Sequence, residues 1–134
     1  MITSSKTERL SALKDICLQC TNCELFRGRK KLVFGEGNPE SWFFLIGEGP
    51  GREEDISGMP FVGRSGHLLR KLLMAIGLDP ENDCYIANTV KCRPPANRVP
   101  YDIEMGQCIK FLKKQVELTT PRPLGRGFLK LIRF

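Results

Sequence analysis

The chain has 134 residues, enough for one domain with a hydrophobic core and too few for two. Hydrophobic residues make up 41%, which argues against both disorder and a fibrous repeat. No apolar run approaches the roughly 18 residues of a membrane span. The polar start Met1-Ile2-Thr3-Ser4-Ser5-Lys6 lacks the apolar core of a signal peptide. A cytoplasmic monomer is the expectation. Net charge is +6, but Arg122, Arg126, Lys130 and Arg133 supply four of those charges; the rest holds 17 basic and 15 acidic residues. Charge alone is therefore a weak pointer to nucleic acid.

In chain order, residues 7–17 place Leu10, Leu13 and Cys17 at helical spacing, with Thr7 or an earlier serine as cap. Val33-Phe34 reads as a short extended segment before the turn Gly35-Glu36-Gly37-Asn38-Pro39. The apolar run Trp42 to Ile46 predicts a buried strand, followed by a glycine- and acid-rich loop from Gly47 to Gly63. Leu68, Leu69, Leu72, Leu73 and Ile76 form the stripe of a helix that starts near Ser65 and stops at Gly77. Tyr85 to Val90 predicts a second strand, and a last helix covers about Asp102 to Leu118. Strand, loop, helix, strand is one βαβ unit, hence an α/β fold with a parallel sheet. Ligands of such sheets bind beyond the carboxyl ends of the strands, here Gly47–Gly51 and the Asn88 region.

Six cysteines in a cytoplasmic chain point to metal or redox chemistry more than to disulfides. Cys20-x2-Cys23 lets two thiolates converge, and Cys92 and Cys108 are placed to complete four ligands. Spacing alone fits tetrahedral zinc about as well as a [4Fe–4S] cluster, and Cys92 and Cys108 also read as small buried hydrophobes. Cys17, on the end of the first helix, reads as packing. Cys84, at the start of a strand, reads as structural.

The segment Gly47-Glu48-Gly49-Pro50-Gly51-x-Glu53-Glu54-Asp55-x-x-Gly58-x-Pro60-Phe61-Val62-Gly63-Arg64 is far more specific than a glycine loop. It resembles the first motif of family 4 uracil-DNA glycosylases. Tyr85-Ile86-Ala87-Asn88-Thr89-Val90-Lys91-Cys92-Arg93-Pro94-Pro95-x-Asn97-Arg98 agrees, as does the CxxC ahead of Val33-Phe34-Gly35-Glu36-Gly37-Asn38. The resemblance holds in register over about residues 10 to 118. It implies a three-layer αβα uracil-DNA glycosylase-like fold around a central parallel sheet.

The resemblance also implies a reaction: uracil is flipped from DNA into a pocket and water attacks C1′ of the deoxyribose. Glu48 would position or polarise that water. Gly49 and its neighbours would let backbone approach the base, and Phe61 would stack on uracil for about 1–3 kcal/mol. Asn88 would read O4 and N3–H together through its amide, leaving cytosine with unpaired groups. Gly51, Arg64, Arg93, Asn97 and Arg98 would face the DNA. Glu53, Glu54 and Asp55 read as a solvated, loop-ordering acid run. The cysteines matching the family's [4Fe–4S] ligands are Cys20, Cys23, Cys92 and Cys108, and the cluster's implied role is structural.

Past residue 118 the chain departs from the family pattern. Thr119 to Gly127 is strand-poor, and Phe128 to Phe134 reads as a basic, apolar stub. Residues 1–118 are thus expected to form the front part of the glycosylase domain, and 119–134 an atypical tail left by a frameshift or truncation. The family's second motif, a His-Pro segment, has no counterpart. His67, the sole histidine, reads as a helix-surface or DNA-edge residue. A missing transition-state donor of that kind costs about 3–4 kcal/mol, so slowed catalysis is expected. Competing readings are a non-catalytic iron–sulfur DNA-binding remnant, a uracil-DNA-binding relative of the same superfamily and, weakest, a zinc module.

Overall fold

A computed structural model describes residues 5–41, 43–119 and, as backbone only, 129–132. Trp42, expected to open the first long strand, lies outside the described residues, as do 120–128, 133 and 134 of the expected tail.

Helix α1 (Lys6–Leu18) starts where the Ser5 side chain accepts a hydrogen bond from Glu8 N at 3.1 Å. That bond satisfies one of the amides a helix start leaves unpaired. Val33 and Phe34 are buried without forming a strand; the ladder begins at β1 (Glu36–Gly37). Strand β2 (Phe43–Gly47) follows, and then the expected loop folds one helix of its own, α2 (Arg52–Ser57). Helix α3 (Arg64–Ala75) leads to β3 (Cys84–Asn88), and α4 (Asp102–Thr119) closes the continuous part. Within the basic, apolar stub, Leu129–Ile132 form strand β4.

The sheet order is β1-β3-β2-β4. The expected parallel pairing of β2 with β3 is present, Phe43 facing Cys84 and Gly47 facing Asn88. β4 adds a second parallel pair on the other side of β2. The sheet is nevertheless mixed, because β1 lies antiparallel to β3.

Alternation along the strands sorts two apolar layers. Phe44, Tyr85 and Ala87 face Phe111 and Leu112 of α4 and Leu10 of α1. Leu45, Cys84 and Ile86 face Leu69 and Leu73 of α3. Helices thus cover both faces, the expected αβα arrangement. On α3 the predicted stripe splits: Leu69 and Leu73 are buried, whereas Leu68, Leu72 and Ile76 are 52%, 54% and 71% exposed. One line of α3 rests on the sheet, and Gly66 on that line sits so close that a Cβ would collide with the Phe61 carbonyl group.

Candidate functional site

Strands β2 and β3 end level with one another, and their pairing continues one step further. Thr89 N donates to Gly47 O at 2.9 Å and Val90 N to Glu48 O at 3.0 Å. The Thr89 hydroxyl also donates to Glu48 O, at 2.6 Å. The loops after the two strands therefore open onto one cleft. Asn88, only 3% exposed, stands at its floor. A Cβ on Gly47 would collide with Asn88 Oδ1 and with the tip of the Phe61 ring, so amide and ring meet over a bare α-carbon.

Phe61 has a left-handed backbone, φ 53°. That conformation is costly for a bulky residue and needs support. Arg70 of α3 provides it, with Nε donating to Phe61 O and Nη2 to Pro60 O, both at 3.0 Å. Glu54 provides more: Oε1 accepts from Gly51 N at 2.9 Å, and Oε2 from Val62 N at 2.8 Å and Gly63 N at 2.6 Å. One carboxylate thus ties both ends of the motif loop together. Asp55 is not solvated as expected: it is 2% exposed and accepts from Lys30 N at 2.8 Å. The acid run orders the loop, with Asp55 doing so from inside.

Glu48, Gly49, Gly51, Phe61, Arg64, Asn88, Asn97 and Arg98 all line the cleft. Arg93 does not; it supports the rim, its Nε donating to Asn97 Oδ1 at 2.7 Å. Ala96 and Asn97 on this rim have φ 55° and 58°, the remaining positive values among described non-glycine residues. Arg98 is engaged, pairing both guanidinium nitrogens with Glu104 at 2.8 and 2.9 Å and lying 3.7 Å over the Tyr101 ring. That pairing, helped by Tyr101 N, holds the Glu104 carboxyl below its usual range. His67 is exposed on α3, outside the cleft lining.

A second, much narrower space lies behind β3. Cys20, Cys23, Cys92 and Cys108 all line it, together with Cys17, around a cavity of only about 10 Å³. All five are free thiols. Burial pushes Cys17 up to about 12 and Cys108 up to about 11, and raises Cys23 and Cys92. Sulfur-directed donors are in place: Arg29 Nη1 donates to Cys92 Sγ at 3.2 Å and Asn22 N to Cys20 Sγ at 3.5 Å. Arg29 also donates to Cys20 O and Leu18 O, at 3.0 and 3.2 Å. No group of three or more His, Cys, Asp or Glu among the described residues is set to hold a metal ion.

Residues 34–124 match the family model of the uracil DNA glycosylase superfamily. The chain belongs to that superfamily. Two type-4 uracil-DNA glycosylases are each 44% identical to it. The one from Thermotoga maritima aligns over 117 residues, 87% of this chain and 60% of the relative. The one from Saccharolobus solfataricus aligns over 123 residues, 89% of this chain and 56% of the relative. A DNA polymerase of Bacillus phage SP01 is 28% identical over 105 residues, 76% of this chain and 11% of that protein. The chain thus spans less than two thirds of the length of the type-4 relatives it matches.

Within this superfamily member, most of the motif residues read from sequence line the cleft at the two strand ends, and the four cysteines line one pocket behind them. Three supports were not legible in advance. Glu54 as a loop staple, Arg70 as the prop under Phe61, and Arg29 as a bridge from the first cysteine turn to Cys92 all depend on contacts between distant segments. A capping-type signal, acid three residues into a helix after a glycine, was the one hint available for Glu54.

Proposed function

We propose that the cleft is the base pocket of a uracil-DNA glycosylase that hydrolyses the N-glycosidic bond of deoxyuridine in DNA. The observation that carries this reading is the meeting of the Phe61 ring and the Asn88 amide over Gly47, with Glu48 the next residue. A flipped uracil stacks on Phe61 and pairs O4 and N3–H with the Asn88 amide. Cytosine presents the opposite pattern there and leaves buried groups unpaired. Glu48 orients water so that its oxygen bonds to C1′ as the C1′–N1 bond breaks. The bonding pair leaves with uracil N1, and the proton lost by water is balanced by one gained by uracil.

Gly49 and Gly51 leave room for the nucleotide backbone, and Arg64, Asn97 and Arg98 give the cleft its DNA-facing rim, with Arg93 behind Asn97. Arg98 does so as a charge already shared with Glu104. The reading assigns residues 1–118 to the front part of the glycosylase domain and 119–134 to a tail, of which β4 pairs with the sheet.

Cys20, Cys23, Cys92 and Cys108 would hold a [4Fe–4S] cluster, which when bound staples the N-terminal arm to the loop after β3. The donor set fits: four free thiols line one pocket, with N–H donors aimed at two of the four sulfurs. A reducing cytoplasm keeps such thiols available to iron. The DNA partner is uracil-containing, and the working form is a monomer.

The test is release of free uracil from a single-stranded, uracil-containing oligonucleotide by chain purified without oxygen. Release that disappears in Glu48→Ala is the expected result. With slowed catalysis expected, long single-turnover incubations are needed. Bound iron and sulfide with no release, and no preference for uracil DNA in binding, would instead establish a non-catalytic iron–sulfur remnant.

A further inference from the structure

Between the cleft and the cysteine cavity lies a buried polar chain that the reaction does not use. Lys91, 1% exposed, donates from Nζ to Asn88 O at 2.8 Å and to Gln115 Oε1 at 2.6 Å. Gln115, fully buried on α4, donates from Nε2 to Phe34 O at 2.9 Å and to the Tyr85 hydroxyl at 3.3 Å. No buried side-chain polar atom among the described residues is left without a partner.

The position of this chain in the sheet gives it meaning. β1 pairs Glu36 with Ile86 and Gly37 with Tyr85, antiparallel. Extended by two residues, that register sets Phe34 opposite Asn88, just past the end of the ladder. There the carbonyls of Phe34 and Asn88 are joined by Gln115 and Lys91 in place of a backbone rung. Asn88 is therefore held on both sides. Its backbone carbonyl is clamped by Lys91, while its side chain is pressed against Gly47 and Phe61. Lys91 also lines the cysteine cavity and precedes Cys92 in the chain.

We propose that Lys91, oriented by Gln115, is a positioning residue that fixes Asn88 for base reading. It does so by completing the edge of the sheet where β1 stops, and it ties the base pocket to the cysteine cavity behind it. Burying an ammonium group is expensive, and a methionine would fill the same space. What methionine cannot do is hold the Asn88 carbonyl. The proposal rests on the reading of Asn88 as the uracil-recognising residue, so the test separates the two.

The experiment compares wild type, Lys91→Met and Gln115→Met as full 134-residue chains prepared without oxygen. The binding probe is a single-stranded oligonucleotide carrying 2′-fluoro-deoxyuridine, whose glycosidic bond resists hydrolysis; the same oligonucleotide with deoxycytidine is the control. Iron content and melting temperature are recorded in parallel, as is the Asn88 side-chain amide resonance. Lys91→Met should lose about tenfold of the uracil-over-cytosine preference, the scale of one buried hydrogen bond lost to a reader group. Affinity for the cytidine control should be unchanged, and the Asn88 amide resonance should move. Gln115→Met should change both in the same direction by a smaller factor, and it decides the matter if Lys91→Met does not fold. Full preference with an unmoved Asn88 amide, in either folded variant, overturns the proposal. If wild type itself shows no preference, the base-reading assignment fails, and the Asn88 resonance still shows whether Lys91 positions that residue.

Discussion

The cleft and the cysteine cavity sit on opposite sides of the end of β3 and are built in opposite ways. The cleft is open, and its shape is held by charged side chains that bond to backbone: Glu54 takes three amides and Arg70 two carbonyls. The cavity is narrow, and its walls are thiols with apolar packing around them. A charged group that bonds to backbone fixes a loop without filling it, which suits the proposed entry and release of a base. Thiols gathered around a narrow space suit a permanent guest that they bind as thiolates.

The contrast predicts which variants damage one region and spare the other. Removing a thiol proposed to hold the cluster should have the largest effect. In Cys92→Ser, iron and sulfide per chain should fall to background and the melting temperature should drop by roughly 10 °C or more, given about 2–8 °C per kcal/mol for domains of this size. Wild-type iron content in Cys92→Ser would break the division of roles drawn here.

Glu54→Ala comes next. A carboxylate bonded to three backbone amides contributes roughly 3 kcal/mol or more. Urea unfolding should show that loss, together with loss of uracil-DNA binding, while iron content per folded chain stays at the wild-type value. Gly47→Ala is narrower. Its methyl group would push apart the Asn88 amide and the Phe61 ring, so uracil binding should fall at least tenfold for a stability cost of about 1–3 kcal/mol. Unchanged binding in Gly47→Ala would mean that the ring and amide do not share a base.

The smallest effect concerns the rim. Arg98 first, then Tyr101 N, holds the Glu104 carboxyl below its ordinary value. A lowered carboxylate contributes stability above the unfolded glutamate value of about 4.3 and loses it as pH falls through the lower folded value. Wild type should therefore exceed Arg98→Met in thermal stability at pH 7, and the two curves should converge in acid. A gap that persists in acid would assign the Arg98 effect to its stacking on Tyr101 instead.

The sequence alone indicated the main elements and most of the residues that line the cleft and the cysteine cavity. The apolar run before Gly47, the periodicity of α1, α3 and α4, and the dense motif from Gly47 to Arg64 are local signals, read within one or two turns of chain. The pairing of β2 with β3 followed from one βαβ unit, and with it the placement of Glu48 and Asn88 at one edge. Local signals could not reveal the supports. Val33 and Phe34 looked like a strand, but their polar needs are met by Lys91 and Gln115, 24 residues apart in the chain. Asp55 looked solvated because its partners, the amides of Lys30 and Lys31, come from before β1. The stripe on α3 could not say which leucines would touch the sheet. Whether the 129–132 segment pairs as a strand depended on the free edge of β2, which nothing in those four residues encodes. Backbone geometry and apolar spacing are written along the chain; which distant group satisfies a buried polar atom is decided only when the layers close.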